Sequence, residues 1–310
     1  VLVRRGGVDR SVAAIVLQKK GFEVYGVFMK NWDDKNAICN AEDDYADAVS
    51  VCNQLNIPLK KINYTKEYKD RVFSQFLDDH KNGFTPNPDV LCNKEIKFDV
   101  FQKYAKQIGA TKIASGHYAK IVKENDNFFI SKASDRTKDQ SYFLYQLKSS
   151  LLHNIEFPLG SLLKKDIRKI AEENNLVNAS KKDSTGICFI GDRKYNDFVC
   201  QFLKTKKGKI ITVDGEEIGH HDGHMYFTVG QRKGLGIGAR NSAFDKPWYV
   251  VNKDINKNIV YVAQGGTHPA LFSDQLLADN MYWSRDISKL LPFKCNAKVR
   301  YRDEDHSCQI

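Results

Sequence analysis

Short apolar runs alternate with amphipathic runs over the first two hundred residues. This alternation limits the fold more than any other feature of the chain. Residues 1–3, 23–28, 59–63 and 112–115 read as strands, and residues 11–20, 42–55, 66–80 and 94–108 read as helices. Within 42–55, Ala46, Val49 and Cys52 recur at helical spacing and give an apolar stripe. Strand and helix in alternation predict a parallel sheet covered on both faces.

The pattern then changes. A hairpin is expected over 119–131, turning at Glu124-Asn125-Asp126-Asn127, followed by a helix at 164–174. Around 204–209 the composition shifts to lysine, threonine and glycine, which marks a linker or domain edge. Beyond it helical runs mostly stop. Residues 210–213 lead into an Asp214-Gly215 turn, and 248–252, 259–263 and 297–301 read as further strands. No repeat or low-complexity segment is visible.

The chain of 310 residues is 42% hydrophobic, enough for two or three cores. Mean hydropathy is −0.49, and no apolar stretch reaches the length of a membrane span. The sequence opens on a core-like strand, so no signal peptide is expected. The net charge of +10, with pI near 9.1, favours a polyanionic partner such as RNA. Seven cysteines lie far apart with no CxxC pair, which argues against a zinc ribbon or a disulfide scaffold and for a reducing compartment.

Several stretches carry possible chemistry. Arg4-Arg5-Gly6-Gly7-Val8-Asp9-Arg10-Ser11 joins the first strand to the first helix. Backbone N–H groups of a glycine turn before a helix bind phosphate, and Asp9 suits a magnesium ion or a helix cap. A plain strand-to-helix turn is the simpler reading. In Thr85-Pro86-Asn87-Pro88-Asp89-Val90-Leu91-Cys92, two prolines stiffen a loop ahead of a helix. Cys92 then falls near a helix start, where the dipole favours a thiolate, and Asp89 is a nearby acid or base. A buried, inert thiol is the alternative. Cys188 sits between glycines in Asp183-Ser184-Thr185-Gly186-Ile187-Cys188-Phe189-Ile190-Gly191, and a transient disulfide with Cys92 requires the fold to bring them together.

Ser115-Gly116-His117 follows a strand, at the end where parallel sheets bind ligands. Lys138-Asp139-Gln140-Ser141-Tyr142 combines cation, amide and aromatic groups suited to RNA. His220, His221 and His224 are close in sequence, but their spacing offers no defined metal geometry, and no metal is expected there. The loop Thr228–Gly236 that follows is basic and glycine-rich and suits a phosphate backbone.

Taken together, these stretches closely resemble the tRNA-specific 2-thiouridylases of bacterial type. The matching pieces are FMKNW at 28–32, TPNPDVLCNKEIKF at 85–98, SGHYAK at 115–120 and KDQSYFL at 138–144. DSTGICFIG at 183–191, TVGQRKGLGIG at 228–238 and PWYVV at 247–251 continue the match in order. The resemblance implies an α/β fold: a parallel-sheet PP-loop nucleotide-binding domain, a small central domain and a truncated C-terminal β-barrel. The corresponding boundaries are 1–203, 204–272 and 273–310.

The implied reaction is 2-thiolation of the wobble uridine (U34) in tRNAs for lysine, glutamate and glutamine, in the cytoplasm and away from membranes. ATP, with Mg2+, adenylates the C2 oxygen, and sulfur comes from a persulfide supplied by a relay protein or cysteine desulfurase. The resemblance implies a persulfide on Cys188, a second catalytic thiol at Cys92 able to form a disulfide with it, and acid–base work by Asp89. Asn87, Pro88 and Asp89 would line the target base. Arg5, Gly6, Gly7, Val8, Asp9, Arg10, Met29 and Gly116 would bind ATP. His117, Lys138, Asp139, Gln140, Arg300 and Tyr301 match positions that touch tRNA.

One departure stands out. The family's loop reads SGGVDSS, and here arginines 5 and 10 replace two serines. A tRNA-binding variant unable to use ATP is therefore the competing reading. A different PP-loop enzyme, such as an amidotransferase-linked synthetase, would leave both cysteine motifs unexplained.

Overall fold

The computed structural model describes residues 2–4, 7–33, 41–183, 186–191, 193–237, 246–288, 290–301 and 303–310. The chain forms two compact units. The first takes Val1–Lys69, Asp89–Thr185 and Asn280–Ile310, and the second takes Asp70–Pro88 and Gly186–Asp279. Segments of the two units therefore alternate along the chain.

In the first unit, strands β1 (Leu2–Arg4), β2 (Gly26–Lys30), β3 (Leu59–Asn63), β4 (Ile113–Ala114) and β7 (Ile155–Glu156) form one sheet in the order β3-β2-β1-β4-β7. Every pairing is parallel, as the alternation predicts. Between β4 and β7, strands β5 (Ala119–Glu124) and β6 (Asn127–Lys132) make the expected hairpin. Asn125 and Asp126 take φ of 45° and 64°, the left-handed pair that a two-residue turn requires.

Helix α1 (Val8–Lys19) buries Val12, Ala13, Ala14 and Ile15 almost completely. They pack in one cluster with Val51 and Cys52 of α2 (Ala41–Gln54) and with Ile167 and Ala171 of α3 (Lys164–Glu173). Each buried Val, Leu or Ile side chain contributes roughly 1.5–3 kcal/mol by leaving water. Asp9 in the first turn and Lys19 in the last complement the dipole of α1.

The helix expected over 66–80 runs from Thr65 to Lys81 through a π-helical stretch, Lys69–Phe73. The helix expected over 94–108 starts earlier, at Pro88, where a residue without an N–H costs nothing at the first helical position. A second π stretch, Cys92–Val100, lies inside it.

In the second unit, β8 (Gly208–Thr212), β9 (Glu217–His221), β10 (Trp248–Asp254) and β11 (Ile259–Gln264) form a mixed sheet ordered β10-β11-β8-β9. Among the described residues it is parallel only between β11 and β8 and does not close into a barrel. Ile210, Ile218, Phe227, Val250, Val260 and Val262 form its core. A separate aromatic core gathers Phe73, Phe76, Phe189, Phe198 and Phe202, with Phe73 4.9 Å from Phe202 and Phe76 5.0 Å from Phe189. These contacts are edge-to-face, the arrangement that ring quadrupoles favour.

The strand expected at 297–301 is displaced. Strand β12 covers Lys294–Ala297 and pairs with β13 (His306–Gln309), ending at the pair Ala297↔His306. Val299, beyond that last pair, is 75% exposed. Among the described residues of 273–310, this antiparallel pair is the only sheet. No helix among the described residues is long and apolar enough to cross a membrane.

Candidate functional site

Strand β1 is flanked by β2 on one side and β4 on the other, so the strand order reverses there. Ligands of open parallel sheets bind beyond the carboxyl ends of the strands at such a reversal. Two candidate stretches leave from that point: residues 5–7 after β1, and Ser115-Gly116-His117 after β4. Arg5 and Gly6 lie outside the described residues. Gly7 is the extended N-cap of α1 (φ −85°, ψ 149°), and the first-turn amides of that helix have no intrahelical partner. They form a ready anion site.

Gly116 lies against the same helix. A Cβ on Gly116 would stand 3.0 Å from Cγ of Arg10 and 3.4 Å from its backbone nitrogen. A larger residue would crowd α1 there. Nη1 of Arg10 comes within 3.8 Å of where a Cβ on Gly7 would stand. The Arg10 side chain therefore runs from Gly116 toward Gly7, across the cradle the two glycines leave open.

Beside the cradle is an ionic network that sequence reasoning missed. Asp9 Oδ1 accepts hydrogen bonds from the Tyr118 hydroxyl at 2.7 Å and from Lys164 Nζ at 2.6 Å. Lys164 also pairs with Asp183 Oδ1 at 2.7 Å, and its backbone N–H donates to Asp135 at 2.9 Å. Arg168 reaches Asp183 Oδ1 at 3.0 Å, and Lys138 reaches Oδ2 at 3.0 Å. Burial pushes the Asp183 carboxyl up, but hydrogen bonds from Lys164 and Lys138 outweigh it and hold it below the usual carboxylate range. Burial, then the Asp9 charge, raises the Tyr118 hydroxyl far above its ordinary value, so it stays a donor. Lys164 and Asp9 lie 155 residues apart, a separation no local pattern reveals.

Met29 is buried in β2, beside β1. His117 bonds to Ser115 Oγ through Nδ1 at 2.7 Å and packs near Phe157. Burial, then Lys97 and Arg10, hold it well below the usual histidine range and keep it neutral. Asp139 is buried and accepts from the Ala133 N–H at 2.7 Å and the Ser141 hydroxyl at 2.8 Å. Gln140 exchanges bonds with the Tyr118 backbone at 2.8 and 3.1 Å. These residues shape the loop around Tyr118, while Lys138 faces Asp183. Arg300 is exposed, and Tyr301 stacks on Tyr142 with centroids 4.4 Å apart. Tyr142 in turn lies 4.0 Å from Phe143. The fold thus joins the 138–144 stretch to Arg300 and Tyr301 through an aromatic stack.

Cys92 is 1% exposed and opens the π-helical stretch one turn after Pro88. Asp89 is half-buried, Pro88 buried and Asn87 exposed. Asn93 anchors this helix by donating to the Phe143 carbonyl at 3.0 Å. Cys92 and Asp89 belong to the first unit, and Asn87, Pro88 and Cys188 to the second. Cys188 is half-buried in a turn bounded by Gly186 and Gly191, with φ of 100° and 62°. Phe189, its neighbour, pins that turn into the aromatic core 5.2 Å from Phe73.

In the second unit, Thr85 Oγ1 meets Thr228 Oγ1 at 2.9 Å, tying the loop that carries Asn87 to the glycine-rich loop. Arg232 and Lys233 of that loop are exposed. His80 bonds to the Tyr195 hydroxyl at 2.5 Å, and burial, then Lys253 and His224, lower it to about 4. Burial likewise lowers His221 and His224. Among the described residues no three His, Cys, Asp or Glu side chains group as a metal site.

Residues 1–192 match the family described as tRNA methyl transferase HUP domain, and residues 196–264 match the tRNA methyl transferase PRC-barrel domain. The tRNA-specific 2-thiouridylase MnmA 1 of Geobacillus kaustophilus is 52% identical over 307 residues, covering 98% of this chain and 82% of that protein. The tRNA-specific 2-thiouridylase MnmA of Legionella pneumophila (strain Lens) is 51% identical, covering 98% and 85%. The protein of that name from Bacillus subtilis is 49% identical, covering 98% and 82%.

Proposed function

The chain belongs to the tRNA-specific 2-thiouridylase family, and we propose that the cradle at the strand reversal of its first unit binds the ATP this reaction consumes. The protein is a sulfurtransferase that thiolates C2 of the wobble uridine (U34) of tRNA, with ATP and a cysteine persulfide. The observation that supports the nucleotide assignment is the first turn of α1 at the strand reversal, with its amides outside the intrahelical bonding pattern and Lys164 held against Asp9 in that turn. Phosphates need such amide donors and cations.

Finer roles follow on the same reading. Met29 and Gly116 flank the adenosine. Gly7, Val8, Asp9 and Arg10, with Arg5 and Gly6, hold the phosphates. Asp9, now bonded to Lys164 and Tyr118, is the carboxylate that would hold Mg2+, which would offset phosphate charge when bound. Cys188 carries the persulfide, in a turn anchored by Phe189 and Arg193. Cys92 is the second thiol, and Asp89 the acid or base beside a uridine lined by Asn87 and Pro88. An amide-like carbonyl is a poor electrophile until its oxygen becomes a leaving group, hence the nucleotide. A persulfide is a good nucleophile near neutral pH, hence the cysteine.

The tRNAs for lysine, glutamate and glutamine are the proposed substrates. A persulfide relay protein or cysteine desulfurase is the partner, and the cytoplasm the location. Tyr301, Arg300 and the stacked Tyr142 offer a surface for an unpaired anticodon base. We keep 1–203, 204–272 and 273–310 as functional segments, although the units interleave them.

One observation favours a second reading. Arg10 spans the cradle from Gly116 to Gly7, where the family's serine would leave space. If it blocks the phosphates, the chain binds tRNA without activating it. The test is thiolation of tRNA with ATP and a persulfide donor, read by nucleoside mass spectrometry. The wild type should yield 2-thiouridine, and Cys188→Ser none while still binding tRNA. Full thiolation by Cys188→Ser would remove it from the mechanism. No product from the wild type, restored by Arg10→Ser, would establish the blocked cradle.

A further inference from the structure

Two cysteines outside the thiolation motifs face each other across β12 and β13. Cys295 and Cys308 are direct partners in the ladder, with their sulfurs 3.4 Å apart. Phe293 and Ile310 exchange backbone hydrogen bonds in both directions at 3.0 Å. Antiparallel ladders alternate between bonded and non-bonded pairs, so Cys295 and Cys308, two steps along, form another bonded pair. Their Cα atoms then stand about 5.5 Å apart, inside the range of about 4.4–6.8 Å that a disulfide spans. Little backbone movement is needed to join them.

The register is fixed on both sides of the pair. Phe293 and Ile310 hold the open side; on the turn side Ser307 Oγ donates to Asn296 Oδ1 at 3.1 Å, and Asp305 pairs with Lys132 at 2.9 Å. Both sulfurs belong to half-buried residues, so a small reagent can reach them. This separates the pair from Cys52 and Cys92, which are buried.

We propose that Cys295 and Cys308 are a dithiol modification site, oxidised reversibly to a cross-strand disulfide by small-molecule disulfides. The thiolate of one cysteine attacks the reagent, forming a mixed disulfide and releasing one reduced thiol. The second cysteine then loses its proton and attacks the protein sulfur of that mixed disulfide. A second reduced thiol leaves. The two cysteines together give up two electrons and two protons, and one reagent disulfide becomes two thiols. The bond to Cys308 pushes the Cys295 thiol up, so closure should run faster in mildly alkaline buffer than at neutral pH. The closed form clamps the hairpin covalently, and dithiothreitol reopens it.

The experiment uses the full chain carrying Cys92→Ser and Cys188→Ser, so that the motif thiols cannot intervene. The protein is exposed to 2-hydroxyethyl disulfide, blocked with iodoacetamide, digested with trypsin and analysed by mass spectrometry. The expected product is the peptide 295–298 joined to the peptide that begins at Asp303, lighter by two hydrogens than the sum of the reduced peptides. Cys295→Ser and Cys308→Ser should each leave a stable mixed disulfide on the remaining cysteine. Mixed disulfides on both cysteines of the parent protein, or linkage of either to a different cysteine, would overturn the proposal.

Discussion

The two units hold their functional loops by different forces. In the first, Asp9 of the loop proposed for the nucleotide is fixed by ions: Lys164 joins it to Asp183, and Arg168 and Lys138 complete the set. In the second, the turn bearing Cys188 is fixed by an apolar anchor, Phe189, and by the Arg193 guanidinium, which donates to the Phe189 carbonyl at 2.6 Å and the Ile190 carbonyl at 2.9 Å, with His80 lowered to about 4. An ionic site suits a polyanionic ligand, because its cations can turn toward phosphate. An apolar anchor suits a nucleophile that must stay in place while its charge changes.

The sharpest break of this contrast is Phe189→Ala. It removes a fully enclosed ring and should cost about 3–4 kcal/mol in urea unfolding of the second unit, as Phe-to-Ala changes in cores do. It should also blunt persulfide transfer. A loss below about 1 kcal/mol, the median for any substitution, would mean the turn is held otherwise.

Next is Lys164→Met. It removes the cation the two carboxylates share, leaving Asp9 with Tyr118 and Asp183 with Arg168 and Lys138, and should cost about 1–2 kcal/mol, less than a fully buried pair because Asp9 and Asp183 keep partners and 28% and 31% of their side chains exposed. High salt should shrink this loss while leaving that of Phe189→Ala unchanged. Equal salt sensitivity in the two variants would dissolve the contrast.

The third test is acid. His80 takes its proton near pH 4 in the fold and near 6.5 when unfolded, so the unfolded chain binds the extra proton between those values. Stability is full above about pH 6.5 and falls as pH drops toward 4, by about 2 kcal/mol after allowance for solvent screening. His221 and His224 act in the same direction. Asp183 acts only below the unfolded carboxylate value of about 3.9, where its depressed folded value begins to matter. Amides around His80 should therefore lose protection on acidification, read by hydrogen exchange, and His80→Phe should flatten that limb. His117 of the first unit, also held neutral by burial, acts in the same direction. The smallest effect is Thr85→Val, about 1 kcal/mol, from one lost hydroxyl bond to Thr228.

Much of this was legible in the chain itself. Apolar periodicity placed β1 to β4, α1 to α3 and the β5–β6 hairpin within a few residues, because both helix and strand patterns are local. The nucleotide loop, Gly116 and the two cysteine motifs also announced themselves by residue type and spacing. Lys164, Arg168 and Asp135 did not. Each reads as an ordinary surface charge, and only folding brings them to Asp9 and Asp183. His117, Asp139 and Gln140 read as ligand contacts by motif, yet their side chains bond within the protein around Tyr118.

The sequence by itself determined the alternating architecture, through local periodicity, and the family, through a series of motifs that resemble it in order; the reaction came with that resemblance. Tertiary structure alone decided three things. It interleaved segments 70–88 and 186–279 into one unit, set Lys164 between two distant carboxylates, and laid Arg10 across the cradle. Pairings over long separations depend on how cores close and how charges find partners once they leave water. That choice is made by the whole fold, not by any window of the chain.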